Sequence, residues 1–479
     1  MTNATRASRA ARPTTLPRVL GPIRPRPRWL ELRLLALVAV ALAMGSLSLG
    51  ATLNGKLGLY DPQGLAIYIA ALFAAHGAQV LAGRRTDQIL LPTVALLGGI
   101  SLLLMQRLPQ DLVTQTFFGT EFGLAQVQLI WLLLALALAT TLGIVVRSDS
   151  WLRRYKYTWA AVGVGLLLLT FVFGTEINGQ RLTLQLGPFS GQPTELLKVI
   201  LVVFLAGYLS ENRTLLMEQD TRLGPLRMPP LAYLAPMVAM WAIALGIVVV
   251  QRDLGAALLF FGVFLALLYV ATGRISLVVI GFVLFLLGSA LMAMLFDHIR
   301  TRVEIWIDPF ADPLGAGYQV VQALHAFARG GLLGVGFGAG LPEIGGRPPI
   351  PEVHTDFPLA ALGEELGIVG VVAILGLYLV VVERGLRIGA AAADDFRSLL
   401  AIGLALVIGI QAFIIAAGDL KVLPLTGVTL PFISYGGSSL LANALVIGLL
   451  LALSDKGVEP PPPPRVGSRW RRLGRRGIV

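Results

Sequence analysis

The chain has 479 residues, of which 56% are hydrophobic and 14% are charged, and it contains no cysteine. Its charged fraction lies well below the roughly 25% of soluble globular domains, and the missing cysteine excludes disulfides, thiolate catalysis and Cys-ligated metals. The net charge of +11 is concentrated in particular loops and in both tails. That distribution is typical of membrane orientation signals and does not indicate nucleic-acid binding.

Apolar blocks of roughly twenty residues recur along the chain, and each is long enough to cross about 30 Å of hydrocarbon as a helix. The alternating pattern of a membrane β-barrel is missing from the sequence. We therefore predict an all-α polytopic membrane protein with about twelve spans. The predicted spans lie near residues 30–53, 64–82, 88–106, 122–146, 156–174, 194–211, 231–250, 253–272, 275–296, 357–382, 397–418 and 434–453.

The basic residues predict the orientation of these spans. With a cytoplasmic N-terminus, the inward connections and both tails receive most of the arginines, and the outward connections receive far fewer. The positive-inside rule then places both termini in the cytoplasm. No cleavage site follows the basic leader, so the first span is predicted to be a retained anchor. The Pro- and Arg-rich tails, residues 1–29 and 456–479, are predicted to lie along anionic headgroups.

The first polar outward connection follows the fifth span and carries Asn178 to Arg181, then Gln192 to Lys198. Glu195 and Lys198 are three residues apart, so on a helix they share a face at the outer end of the sixth span. The pair either contributes to a polar site or only neutralises charge so that the helix can enter the membrane.

A second polar turn, Gln251 to Gly255, joins spans seven and eight and contains Asp253. Its carboxylate either caps the next helix or faces a polar site.

The outward loop at about 297–356 is unusual because connections between spans are normally short. It carries Arg300 and Arg302, and it is predicted to contain short amphipathic helices, one of them at 318–329, apolar enough to lie on the bilayer surface. The glycine-dense run 330–338 lacks the Lys-Ser/Thr ending of a phosphate loop. It is interpreted as a close-packed re-entrant turn.

Asp356 closes this loop at the start of the tenth span, and an ionisable group at that depth is a functional candidate. Glu364 lies eight residues further on, a little over two helical turns, so we predict that it falls beneath Asp356 on one helix face. The last outward loop, 423–439, contains Ser434 and is rich in Gly, Ser and Pro. Irregular backbone at that depth is expected to line a cavity.

Together these features predict an outward-facing pocket at the membrane interface. The basic candidates for holding an anionic headgroup are Arg181, Lys198, Arg300 and Arg302. The acidic candidates for acid–base chemistry are Asp356, with Glu195, Asp253 or Glu364. A lipid-linked phosphate suits this mixture, because its tail stays in the bilayer while its phosphates meet Arg and Lys.

The motifs at these positions resemble those of the SEDS family (shape, elongation, division and sporulation), typified by RodA, FtsW and SpoVE. The matching segments occur in the family's order over roughly residues 88–453, with one departure: Arg252 stands where the family usually has Pro. They are Asn178 to Arg181, Gln192 to Glu195 with Lys198, Gln251 to Gly255, Asp308 to Gln319, His354 to Phe357, Gly363 to Gly367 and Leu423 to Ser439.

The resemblance implies a SEDS-type helical bundle in which a core of ten spans, residues 87–455, follows two additional N-terminal helices at 30–86. It implies a peptidoglycan glycosyltransferase that polymerises lipid II on the outer face of the bacterial cytoplasmic membrane, with the longer form favouring an elongation role over division. Asp356 matches the family's essential loop aspartate and would be the general base of an inverting reaction.

The resemblance also implies partners. Arg181, Lys198, Arg300 and Arg302, assisted by a divalent cation such as Mg²⁺ or Mn²⁺, would offset charge on the pyrophosphate; no organic cofactor is implied. Glu195, Asp253, Glu364 and Ser434 would support the cavity, and a class B penicillin-binding protein would supply transpeptidation. Two alternatives remain open: a lipid II flippase or other transporter, and a non-catalytic scaffold for the transpeptidase.

Overall fold

A computed structural model describes most of the chain between residues 25 and 455. The described residues are 25–117, 120–177, 180–186, 189–218, 221–223, 226–228, isolated positions between 235 and 249, 253–340 and 347–455. The predicted tails therefore lie almost wholly outside the described residues, as do Gln251 and Arg252.

The described part of the chain is a bundle of long apolar helices, which confirms the predicted all-α membrane class. The helices are α1 (Trp29–Asn54), α2 (Pro62–Leu81), α3 (Leu90–Arg107), α4 (Leu124–Val145), α5 (Ser150–Arg154), α6 (Lys156–Phe173), α7 (Pro193–Glu218), α8 (Leu254–Thr272), α9 (Ile275–Leu295), α10 (Asp297–Ile307), α11 (Tyr318–Gly330), α12 (Pro358–Ala390), α13 (Asp395–Asp419) and α14 (Gly437–Leu453).

Ten of the described helices are long and apolar enough to cross a membrane, so the chain is a multi-pass membrane protein. Helix α14 is apolar but has only 17 residues. The predicted span at 231–250 falls largely outside the described residues. The predicted total of twelve spans therefore stays a prediction.

Helix boundaries follow local chemistry. The Asp253 side chain accepts a hydrogen bond from the Ala256 amide at 3.0 Å and caps α8, as one of the two sequence interpretations expected. Gly273, with φ of 68°, ends the same helix in a left-handed conformation that glycine adopts without steric cost. Helix α12 begins with Pro358, whose missing amide proton is no loss in the first turn.

The core lies around α7, α8, α13 and α14, each of which buries most of its side chains. Helix α14 packs most extensively on α4, and α13 on α12. Helix α9 is equally apolar but almost wholly exposed. In a membrane protein, a helix that is apolar all round and unburied by protein faces lipid. The bundle thus has a protein-packed centre and a lipid-facing edge at α9.

Short antiparallel strands occur in the connections, which the sequence analysis did not predict. They are β1 (Gln115–Phe117), β2 (Thr120–Phe122), β3 (Thr175–Ile177), β4 (Gln180–Leu186), β5 (Phe189–Gly191), β6 (Thr221–Leu223) and β7 (Leu226–Met228). They pair as β1–β2, β3–β4–β5 and β6–β7. Pairing satisfies the backbone donors and acceptors of these connections.

The described residues of the long loop, 297–340 and 347–356, contain two α-helices. Helix α11, at Tyr318–Gly330, coincides with the predicted amphipathic helix. Its apolar face packs on α12, with Ala323 and Ala326 fully buried. Its position relative to the bilayer surface stays a prediction. Helix α10, at Asp297–Ile307, has the highest share of charged residues among the loop helices, and the sequence analysis did not delimit it.

Candidate active site

Asp356 lies in a tight turn that ends the long loop. The amides of Thr355 and Asp356 both donate to the Glu352 carbonyl, at 3.1 and 2.9 Å. Phe357 is 1% exposed and anchors the end of the turn in the core. This local folding fixes Asp356 immediately before α12, at what we call the Asp356 end of the bundle, where α12 and α14 begin and α13 ends.

Burial and charge set the acidity of Asp356. Burial raises the pKa of its carboxyl group to about 6, and the neighbouring Glu352 carboxylate adds to the increase. The Arg302 guanidinium and the neighbouring Thr355 hydroxyl act in the opposite direction on this pKa. A carboxyl with a pKa near 6 is ionised at neutral pH and is a stronger base than an ordinary aspartate.

Arg302 is the basic residue that faces this acid. It is half-buried on α10, and its Nη1 donates to the Leu425 carbonyl at 3.1 Å. Burial lowers the pKa of Arg302, whereas the charges of Asp356 and then Asp253 raise it. The Arg302 guanidinium therefore interacts electrostatically with two acids of the predicted site. Its hydrogen bond to the Leu425 carbonyl joins it to the last loop.

Lys198 forms the centre of a second, buried cluster. Its side chain is 2% exposed, and its Nζ donates to Glu195 Oε2 at 2.6 Å, Gln411 Oε1 at 2.8 Å and Asn443 Oδ1 at 2.8 Å. The predicted Glu195–Lys198 pairing is therefore confirmed. All three ammonium protons are used within the bundle, so binding of a phosphate by Lys198 would require one of these bonds to open.

The Lys198 cluster continues into the last loop. Gln411 Nε2 donates to the Thr429 carbonyl at 2.8 Å, and the Thr429 and Ser439 hydroxyls lie 2.6 Å apart. A pocket opens beside these groups. It is lined by Gln192, Thr194, Glu195, Lys198, Asp253, Ala256, Leu259, Phe260, Gly427, Val428 and Thr429.

Gly427 connects this pocket to Asp356. A Cβ at Gly427 would lie 3.9 Å from Asp356 Oδ2, and its φ of +71° favours glycine. Gly427 thus lines the pocket and lies beside the Asp356 carboxylate. The predicted candidates Glu195, Lys198, Asp253, Arg302 and Asp356 accordingly surround one region at the Asp356 end.

Side chains from three helices hold the last loop in place. Ser101 Oγ on α3 donates to the Ile433 carbonyl at 2.6 Å and receives a hydrogen bond from Gln128 on α4 at 2.7 Å. Tyr378 on α12 donates to the Pro431 carbonyl at 2.6 Å. Ser434 accepts from the Leu430 amide at 2.8 Å and is buried, so it shapes this loop.

Glu364 does not lie beneath Asp356 on one helix face, and that prediction is corrected. Helix α12 begins at Pro358, so Asp356 is outside it and has no helical phase. The Glu364 carboxylate is 2% exposed and pairs with Arg329 at 3.1 Å. Its neighbour Glu365 pairs with Arg107 at the end of α3. Both acids belong to a separate cluster around the glycine-rich loop, residues 331–340.

The other predicted residues occupy different environments. Arg300 is exposed and pairs with Glu304 at 2.9 Å on the same helix. The Arg181 side chain lies outside the described residues, although its backbone pairs with Glu176 in β3–β4. Burial lowers the pKa of His354, so this imidazole is neutral at pH 7. His354 instead contributes its carbonyl, which accepts from the Tyr435 amide at 2.7 Å.

Sequence reasoning missed Asp419, the last residue of α13. Its side chain is 1% exposed, and neither carboxylate oxygen has a hydrogen-bond partner among the residues that the structure describes. Its charge interacts with that of Asp356. The signal was present in the sequence, because a lone acid ends an apolar span there, and intramembrane acids are functional candidates.

The fold and this charged pocket define a class: a multi-pass helical membrane protein with a half-buried carboxylate and a half-buried arginine at one end of its bundle. A family model described as "Cell cycle protein", that of FtsW, RodA and SpoVE, matches residues 87–458. The chain belongs to this family.

Relatives in the curated record agree. The chain is 40% identical to the peptidoglycan glycosyltransferase RodA of Mycobacterium tuberculosis (strain ATCC 25618 / H37Rv) over 406 residues, covering 83% of this chain and 85% of that protein. It is 37% identical over 329 residues to the probable peptidoglycan glycosyltransferase FtsW of Nitrosococcus halophilus, covering 67% of this chain and 80% of that protein.

Solved structures share the fold. A chain from a peptidoglycan synthase complex, whose structure concerns coordination of polymerization and crosslinking, is 29% identical with a TM-score of 0.60, covering 77% of this chain and 98% of that chain. The crystal structure of the Thermus thermophilus rod shape determining protein RodA is 27% identical with a TM-score of 0.54, covering 77% of this chain and 97% of that chain.

Proposed function

We propose that this chain is a peptidoglycan glycosyltransferase that polymerises lipid II at the outer face of the bacterial cytoplasmic membrane. The observation that carries the proposal is the half-buried Asp356 carboxyl, whose pKa is raised to about 6 and which faces Arg302 at one end of the bundle. Support comes from relatives named peptidoglycan glycosyltransferase that align over most of their length.

Asp356 would act as the general base. Its carboxylate takes the proton from the acceptor sugar hydroxyl as that oxygen attacks the anomeric carbon of the donor. The bond from this carbon to the diphosphate oxygen breaks, and its electron pair leaves with the undecaprenyl diphosphate. A single attack from the face opposite the leaving group inverts the anomeric configuration.

The basic residues would stabilise the negative charge that develops on the leaving diphosphate. Arg302 is best placed, because it already interacts with Asp356 and Asp253 at the Asp356 end. Arg300, exposed on the same helix, and Arg181 would contribute at the rim. Lys198 would act mainly by holding the pocket wall together through Glu195, Gln411 and Asn443.

A divalent cation, Mg²⁺ or Mn²⁺, fits the carboxyl groups near the proposed diphosphate position. Asp419 offers two buried oxygens without partners among the described residues, and its charge interacts with that of Asp356. Within the same part of the chain, no group of three or more His, Cys, Asp or Glu could hold a metal. Magnesium is commonly bound by one or two carboxylates together with substrate phosphates, where it neutralises phosphate charge.

The cation assignment predicts a specific defect for Asp419→Asn. The Mn²⁺ concentration needed for half-maximal polymerisation should rise at least about tenfold, since losing even an outer-shell partner of a metal costs 10–100-fold in affinity. Mn²⁺ binding followed by electron paramagnetic resonance, with inorganic pyrophosphate present, should weaken in parallel. Unchanged Mn²⁺ binding and unchanged metal dependence in the variant would contradict this assignment.

The proposed base also predicts a pH dependence. Its carboxylate form is lost as pH falls, so kcat/KM should decline below a pH of about 6, the pKa of Asp356. Removing the positive charge in Arg302→Gln should move this decline to higher pH. Removing the negative charge in Glu352→Gln should move it to lower pH.

The two substitutions serve as controls for each other, because they change opposite charges near the same carboxyl. The measurement is the pH profile of glycan synthesis from lipid II for the wild type and both variants. If both profiles shift in the same direction, or neither shifts, Asp356 is not the titrating base.

The proposed partner is a class B penicillin-binding protein, which would cross-link the new glycan. The structural match to a chain of a peptidoglycan synthase complex supports this choice. Both termini would be cytoplasmic, and the Asp356 end would face outward. The match to a mycobacterial RodA over most of its length favours a role in elongation over one in division.

A further inference from the structure

Helix α1 contacts the glycine-rich loop, although α1 precedes the segment that the family model matches. Ser48 Oγ on α1 donates to the Phe337 carbonyl at 3.3 Å. Thr52 Oγ1, one turn further on, lies 3.2 Å from the same carbonyl and 2.9 Å from the Ser48 carbonyl of its own helix, so its one proton is divided between two acceptors. The separations in sequence of Ser48 and Thr52 from Phe337 are 289 and 285 residues. These bonds tie the N-terminal helix to a loop of the family core.

Packing reinforces the contact. The Phe337 ring lies over Gly45, where a Cβ would be 3.9 Å from its Cε1. On the other side, a Cβ at Gly338 would meet the Leu49 side chain at 2.9 Å, and Leu49 is fully buried. Helix α1 thus packs closely against the loop at two successive residues, Phe337 and Gly338.

The same loop is bonded to the first half of α12. The amides of Val335 and Gly336 donate to the carbonyls of Glu364 and Glu365, at 3.0 and 3.1 Å. In return, the amides of Ile368 and Val369 donate to the carbonyls of Gly331 and Leu332, at 3.0 and 3.2 Å. These bonds form where α12 is interrupted.

Two glycines make this approach possible. Gly367, with φ of 68°, interrupts α12 and frees backbone groups to bond the loop. A Cβ at Gly334 would lie 2.1 Å from the Glu365 carbonyl oxygen, and one at Gly367 would lie 2.4 Å from the Gly334 amide. The loop and the broken helix therefore form one closely packed unit.

An ion pair joins this unit of loop and broken helix to α3. The Glu365 side chain lies against the loop, where a Cβ at Gly340 would be 2.7 Å from its Cγ, and its carboxylate pairs with Arg107 on α3. The helical segment between Pro358 and Gly367 runs from the turn that holds Asp356 to this unit. A displacement of the glycine-rich loop would therefore be transmitted along less than three helical turns to the turn that contains Asp356.

We propose that α1 braces the glycine-rich loop, residues 331–340, and through it positions Asp356, with Ser48, Thr52 and Phe337 as positioning residues. The additional N-terminal helix would thus contribute to the reaction by restraining a loop of the family core. The catalytic consequence of the brace rests on the proposed function, whereas the mechanical contact can be measured without any substrate.

The test uses the double variant Ser48→Ala/Thr52→Ala in the full-length protein. A matched control removes two exposed hydroxyls elsewhere, Ser148→Ala/Ser150→Ala, which bond each other far from the loop. Hydrogen–deuterium exchange of residues 331–340 should become about tenfold faster in the first variant and stay unchanged in the control, since the hydroxyl donors that restrain the loop are lost.

Kinetics then distinguish positioning from general destabilisation. We expect kcat per folded molecule to fall about fivefold in Ser48→Ala/Thr52→Ala with KM unchanged, and Phe337→Ala to show a larger fall. The swap Ser48→Thr/Thr52→Ser keeps both hydroxyls and should restore exchange and kcat. Misplacement of a catalytic group lowers the rate without removing substrate contacts.

Three outcomes would overturn the proposal. Unchanged exchange of the loop in the first variant would show that α1 does not brace it. Faster exchange with an unchanged kcat would show that the brace does not position Asp356. Equal effects in the Ser148→Ala/Ser150→Ala control would assign the change to general destabilisation. If the wild type makes no glycan, the exchange experiment still decides whether the brace exists.

Discussion

Polymerisation by Asp356→Asn is expected to be slower than that by the wild type by about 10²–10⁴-fold, the usual contribution of a positioned general base. The amide keeps the shape of the side chain but cannot take the proton of the acceptor hydroxyl. Because the turn at Glu352 is made by backbone hydrogen bonds, the variant should fold normally. The measurement is single-turnover glycan synthesis with saturating lipid II, together with a melting curve.

Asp297→Asn provides the matched control, because Asp297 is an exposed acid at the start of α10. It should retain the wild-type rate within about twofold, as surface substitutions usually have small effects. A rate loss of less than tenfold in Asp356→Asn would mean that another group takes the proton.

Lys198→Met is expected to have the second-largest effect, on stability as well as on activity. The substitution leaves the buried Glu195 carboxylate without its cation and removes the donor to Gln411 and Asn443. Breaking one side of a buried pair typically costs about 3–5 kcal/mol. The apparent melting temperature in detergent should fall markedly, and glycan synthesis should fall with it.

Two controls separate the charge from the packing. Lys56→Met changes an exposed lysine and should melt like the wild type. The double variant Glu195→Gln/Lys198→Met removes both charges and should recover part of the lost stability, because no unpaired ion remains. No recovery in the double variant would show that the pair is not the source of the stability.

The helices of the bundle were predictable because a segment that crosses lipid must be apolar and must satisfy its own backbone hydrogen bonds. The eighth span was predicted at 253–272 and α8 is found at Leu254–Thr272. An apolar run of that length between polar turns has few other structures available in a membrane. The strands β3, β4 and β5 were not predictable in this way, because polar connections carry no such constraint.

Within the site, local pairs were predictable and long-range ones were not. Spacing alone predicted the Glu195–Lys198 contact. The bonds from Lys198 to Gln411 and Asn443 join residues 213 and 245 positions apart, and these depend on which helices pack together. The interaction of Asp419 with Asp356 was unpredictable for the same reason, although the lone acid at the end of an apolar span could have marked Asp419 itself as a candidate.

Arg300 and Arg302 show why the limits of a helix are needed to assign its side chains to a site. Both were predicted to bind the headgroup, but residues two apart on a helix point in different directions. On α10, Arg302 turns towards Leu425 and Asp356, whereas Arg300 pairs with Glu304 in solvent. Without the limits of α10, the two arginines could not be distinguished from the sequence.

The most direct test of the central claim is a gel assay of glycan chains made by the purified protein. Wild-type protein and Asp356→Asn would each receive lipid II and Mn²⁺, with and without a class B penicillin-binding protein. We expect long glycan chains from the wild type and none above background from the variant. No chains under any condition, with lipid II still crossing vesicle membranes that contain the protein, would contradict the proposal and establish a transporter instead.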